Sequence, residues 1–170
     1  MPKRQWRRWY WGAGAVGALV IFALVWFQPQ KLFIDHNVDD TIPVAAAVPS
    51  ASAPVRAEPI ELARGRFVSR DHGTTGVARL LELADTRRIV RLEGLDTSNG
   101  PDLYLYLTTN AAGGAEAAFD DDFVSLGRLK GNQGDQNYDV PVDVDLSRFA
   151  SVVIWCDRFN SAFGAAPLVR

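Results

Sequence analysis

The run at residues 151–156, SVVIWC, constrains the fold more than any other stretch. Val152, Val153 and Ile154 are β-branched and Trp155 is aromatic, a composition that suits a pleated, buried surface better than a helix. Side chains alternate along a strand, so Val152, Ile154 and Cys156 share one face while Val153 and Trp155 share the other. Both faces are apolar. The run is predicted to be a central strand covered on both sides, with Cys156 where that strand gives way to Asp157 and Arg158.

Similar short apolar runs recur at 65–69, 76–83, 88–92, 102–107, 124–129 and 138–140. Between them lie turn signals such as Asp71-His72-Gly73, Ser98-Asn99-Gly100-Pro101 and Gly131-Asn132-Gln133-Gly134-Asp135. No segment sustains a helical period apart from a short stretch around 115–119. Strands at roughly 8–12-residue spacing indicate an all-β domain, an antiparallel β-sandwich or small barrel, over residues 60–170.

The preceding residues have a different composition. Residues 9–27, WYWGAGAVGALVIFALVWF, contain no charge. As a helix they reach about 28 Å, close to the hydrocarbon thickness of a bilayer. Aromatic residues at both ends resemble the belts of a spanning helix, and Lys3, Arg4, Arg7 and Arg8 precede the run. The expectation is a single-pass signal anchor in the lipid bilayer, with a cytoplasmic tip at 1–8 and the C-terminal domain extracytoplasmic. A cleaved signal peptide is the competing reading, but residues 27–30, FQPQ, offer no small-residue cleavage site. Residues 28–59 read as a juxtamembrane segment and then a Pro/Ala-rich linker, a stalk in part polyproline II.

Charge excludes one class of partner. Residues 59–170 carry 12 Lys and Arg against 16 Asp and Glu, a net of −4, so a basic face for nucleic acid is not indicated.

Cys156 is the only cysteine. In an exported domain an unpaired cysteine is either a reactive thiol or a small buried hydrophobe. Arg158 shares its strand face and is the residue placed to tune a thiolate. A metal centre is not expected: no histidine pair, methionine ligand or second cysteine accompanies Cys156. No cofactor is assigned, and a non-covalent haem on His72 or Cys156 lacks a ligand motif. Without a nucleophile–base pair a hydrolase has little support, so an accessory module is expected rather than a stand-alone enzyme. Asp120-Asp121-Asp122 reads as a solvated loop. The ligand-binding candidates are His72, Asn99, Asp102, Asn132, Asp135, Asn137 and Tyr138, which lie in loops dense in amides and glycines; turn chemistry is their simpler reading.

Residues 65–168 also resemble the DM-thirteen domain, the electron-transfer DM family. The resemblance rests on Phe67 with Asp71-His72-Gly73-Thr74-Thr75-Gly76, on Ser98-Asn99-Gly100-Pro101-Asp102-Leu103-Tyr104, and on Leu126-Gly127 with Leu129-Lys130-Gly131-Asn132 and Gly134-Asp135-Gln136-Asn137-Tyr138. Asp145-Leu146, Ser151-Val152-Val153-Ile154-Trp155-Cys156, Arg158-Phe159, Phe163 and Ala166-Pro167-Leu168 complete it. It implies an extracytoplasmic β-rich module of the kind that accompanies haem- or sugar-binding DOMON domains, with Cys156 in the position of the family's proposed redox cysteine. This chain shows no DOMON domain of its own, so an electron partner would be a separate protein. Two functions are therefore expected: a membrane-anchored redox or electron-transfer module acting through Cys156, or a non-catalytic envelope module binding a glycan or protein through the Asn/Gly-rich loops.

Overall fold

The computed structural model describes residues 3–28, 34–43 and 58–170, with the side chains of its first helix described from Gly14 onward. Helix α1 (Lys3–Phe27) is followed by β1 (Asn37–Asp39), β2 (Ile60–Arg66), β3 (Val68–Ser69), β4 (Thr74–Glu82), β5 (Arg88–Thr97), β6 (Leu103–Thr108), β7 (Phe123–Arg128), β8 (Gln133–Val140), β9 (Ser151–Cys156) and β10 (Ser161–Pro167). The strands form two five-stranded sheets, ordered β1-β8-β5-β4-β2 and β3-β10-β9-β6-β7. All pairings are antiparallel except β1 beside β8. Of the two expected architectures, the sandwich is the one formed.

The alternation in β9 places it as expected. It is the middle strand of its sheet, and all six of its residues are buried. Val152, Ile154 and Cys156 join Leu80, Val90, Leu92, Leu105 and Phe163 in the core between the sheets. Val153 and Trp155 face outward into a second cluster with Tyr106, Phe119, Ala162 and Ala165. Residues 109–122, which include a 3-10 turn at Glu116–Ala118, bring Phe119 onto that outer face. Burying each large apolar side chain contributes about 1.5–3 kcal/mol, so a strand apolar on both faces anchors two layers at once.

Residues 34–43, expected as juxtamembrane chain, lie on the domain. β1 is an edge strand, parallel to β8 with Val38 opposite Gly134, and β2 is the other edge of the same sheet. Residues 44–57, the greater part of the expected Pro/Ala-rich stalk, lie outside the described residues. The expected span at 9–27 falls within α1, and partly outside the described side chains. Among the described residues no helix is long and apolar enough to cross a membrane.

Candidate functional site

The backbone brings the family-like segments to one end of the sandwich. Cys156, the last residue of β9, lies opposite Leu103 of β6 and Ser161 of β10. Hydrogen bonds from Asp157 N to Asp102 O (3.0 Å), Leu129 N to Leu103 O (2.8 Å), Asp71 N to Ala162 O (3.0 Å) and Thr97 N to Asn132 O (3.0 Å) gather four loops around that strand end. These loops are 157–160, 98–102, 129–132 and 70–73. All of the expected site residues lie at this end except Asp135, Asn137 and Tyr138, which run along β8 away from it.

Cys156 is a free thiol with no solvent exposure. Burial pushes the thiol above its ordinary value. The backbone N–H groups of Phe159, Arg158 and Asp102 pull it back, and the Asp102 carboxylate adds to the upward push. The sulfur is thus enclosed, and burial, the largest influence on it, disfavours the thiolate. Residue Asn160 closes the covering turn in the left-handed region, at φ 51°.

The guanidinium of Arg158, expected to tune the thiolate, is turned toward the helix. It lies over the Trp26 ring of α1, 5.4 Å from the centroid, and donates to the Trp26 carbonyl. Asp102 pairs with Arg128 at 2.7 Å. The His72 ring packs on Phe163, with centroids 3.8 Å apart. Among the described residues no group of three or more His, Cys, Asp or Glu is placed to hold a metal ion.

Of the remaining candidates, Asn99, Asn132, Asn137 and Asp135 are engaged by the chain's own residues 34–41, which form a strap along the domain, and Tyr138 is held within the domain. Asn99 Nδ2 donates to Ile34 O at 2.7 Å. Asn132, only 1% exposed, donates to Asp35 Oδ1 (2.8 Å) and Thr97 O (2.9 Å) and accepts from His36 N (2.7 Å). Asn137 N donates to Asp40 Oδ2 (3.0 Å), and its side chain donates to Thr41 O (2.7 Å). The backbone carbonyl of Asp135 accepts from Asp40 N (2.9 Å), while its carboxylate pairs with Arg91. The Tyr138 hydroxyl donates to Gln136 Oε1 (2.6 Å) and accepts from Lys130 N (3.0 Å). Desolvation raises its pKa far above the ordinary phenol value. Two glycines make the close approach possible. A Cβ on Gly131 would lie 2.3 Å from His36 O, and one on Gly134, at φ +92°, would lie 2.0 Å from Val38 O.

Several participants escaped sequence reading. Arg91 is 6% exposed and donates to Glu93 (2.9 Å), Asn137 (3.0 Å) and Asp40 O (2.8 Å), tying strap, β5 and β8 together. Buried Gln136 closes the 131–136 turn through Gly131 O at 2.7 Å. Asp40 accepts from Lys130 Nζ at 2.6 Å, a hydrogen bond that with Asn137 N holds its carboxyl below the usual value. Arg91 lies within the apolar run 88–92, and its partners Asp40 and Asn137, far away in the chain, gave no local signal. Between strap and loops remains a polar cavity of ≈ 190 Å³, lined by residues including His36, Asn99, Leu103, Lys130 and Asn132.

Residues 66–168 match the family model described as Electron transfer DM13. The chain belongs to this family. The matched DM13 span begins at the last residue of β2 and ends just after β10, so it holds every loop around Cys156 but not the strap. No curated protein and no solved structure shows significant similarity to the chain.

Proposed function

We propose that this DM13 chain is a membrane-anchored, extracytoplasmic electron-transfer module in which Cys156 is the exchanging thiol. Residues 9–27 anchor it in the cell membrane, with the N-terminus cytoplasmic and the sandwich outside. One observation carries the redox assignment: the loops of the family-matched span gather at the strand end around a buried thiol that has no disulfide partner. Opening of the 157–160 turn exposes the sulfur. The Cys156 thiol then loses its proton to water, and the thiolate attacks a disulfide of a partner protein. The new bond joins Cys156 to one partner sulfur, the partner's S–S bond breaks, and its second sulfur leaves as a thiolate. Cys156 is oxidised as that disulfide is half reduced.

The test uses the full chain in detergent, reduced and then mixed with a small aromatic disulfide. The expected result is one equivalent of released thiolate and a mixed disulfide at Cys156, both absent in Cys156→Ser. Reaction only after denaturation would make Cys156 a core residue and end the assignment.

A second reading, an envelope binding module, has one observation in its favour. The Asn/Gly-rich loops grip an extended segment through Asn99, Asn132 and Asn137. That segment is the chain's own, so an outside protein or glycan would have to displace it.

A further inference from the structure

We infer that the Cys156 end of the sandwich rests on the bilayer surface, with Phe159 and Arg158 as its lipid-contacting residues. This rests on the membrane anchor proposed above and adds to it an orientation and a contact.

Two independent observations point the same way. The first is connectivity. β1 is fixed on the domain at Asn37, and Ile34 is already held by Asn99. Only six residue steps separate Gln28, at the end of α1, from Ile34, which limits the separation to about 20 Å. Ile34 and Asn99 stand at the Cys156 end of the sandwich, so that is the end the tether draws toward α1.

The second is packing. Phe159 stacks on Phe27 with centroids 6.2 Å apart and planes 10° apart, while Arg158 lies over Trp26. The turn that covers Cys156 therefore touches the last turn of the helix. Trp26 is 51% exposed, Phe27 52%, Phe159 47% and Ile34 48%, leaving an apolar, aromatic rim around the junction. Aromatic side chains prefer the headgroup region, where an amphipathic ring meets both phases. A guanidinium beside them matches a lipid phosphate bidentately. Asp157 is the exposed acidic group on the same turn, while the nearby Arg128 and Lys130 are paired with Asp102 and Asp40, so Arg158 is the cation the junction offers to lipid. The rim continues the surface that α1 brings into the membrane, and so the bilayer interface is its partner. A consequence is that an electron partner meets Cys156 at the membrane plane.

The opposite end provides the control. Val142, between β8 and β9, is 86% exposed and lies with Val140 at the far end of the sheet. Full-length chain carrying Cys156→Ser is prepared with Asp157→Cys or Val142→Cys, spin-labelled, and reconstituted into vesicles of phosphatidylcholine with phosphatidylglycerol. Collision with a nickel chelate and with oxygen reads the depth of each label. The expected result is several-fold lower nickel accessibility at 157 than at 142, abolished by adding Phe159→Ser with Arg158→Glu. Equal, fully aqueous accessibility at both positions, in chain that resists carbonate extraction, overturns the orientation and leaves the anchor standing. Release of the chain by carbonate overturns the anchor and the orientation together. The Phe159→Ser, Arg158→Glu chain with Val142 labelled checks folding, since its far-end signal must not move.

Discussion

β9 is wholly buried and β8 partly so, and they are covered by opposite means. β9 is covered on each face by apolar side chains: one face meets the other sheet and the second meets Phe119 and Tyr106. β8 reads QGDQNYDV, and its first half is covered by hydrogen bonds to residues 34–41. Apolar burial is non-directional and tolerates small shifts of register or partner. Polar burial holds only while each donor and acceptor keeps its match, since an orphaned buried group costs about 1–3 kcal/mol. The two strands should therefore fail differently: β9 through cavities, and β8 through loss of the strap.

The largest expected effect breaks the apolar side. Ile154→Ala empties a site with no exposure between the sheets and should cost about 2–5 kcal/mol, read by denaturant unfolding of the full chain in detergent. Asn132→Ala comes next. It orphans His36 N and Thr97 O, with an expected loss of about 1–3 kcal/mol per group left buried. Its distinguishing sign is proteolytic cutting within residues 34–43 while amides of β9 remain protected from exchange. Simultaneous loss of both protections would show that the strap and the core unfold as one unit.

A sharper probe of the strap is Gly134→Val, in which backbone at φ +92° and the carbonyl of Val38 both oppose a side chain. Hydrogen exchange should accelerate at 37–39 and along 133–135, with β9 unchanged. The smallest effect is a pH dependence. Asp40 has a folded-state pKa below its unfolded one, so its contribution is present above the unfolded value of 3.8 and is lost as pH falls through the folded value. Strap protection should weaken below about pH 4, and Asp40→Asn should remove that dependence along with part of the protection at neutral pH.

The same contrast explains what the sequence made legible. β9, β4, β5 and β6 could be read because alternation and β-branching report burial by apolar side chains. The first half of β8 could not, because Gln133, Gly134, Asp135, Gln136 and Asn137 have turn composition. They are strand residues only in the presence of a partner segment far earlier in the chain. β10, with Ala162, Gly164, Ala165 and Ala166, is built of small residues. They let it pack close to β9 and leave no periodic signal. At the candidate site, the strand face of Cys156 was readable, since it follows from counting residues. The loops gathered around it were not, since they depend on backbone hydrogen bonds such as Asp157 N to Asp102 O and Leu129 N to Leu103 O. The placement of the Arg158 guanidinium was not readable for a related reason. Residues on a shared strand face need not stay together once the chain turns, and here its guanidinium finds Trp26 instead.

Cys156 is proposed to be an enclosed thiol that reacts only when the 157–160 turn opens. Native alkylation of the reduced full chain, followed against reagent concentration and pH, decides this. Slow labelling that reaches a plateau rate set by opening is expected. The pH midpoint should lie above the unperturbed thiol value of about 8.5 where chemistry limits the rate. Fast labelling that rises in proportion to reagent, with a midpoint well below that value, would contradict it. That result would mean an exposed thiolate in place of the covered one.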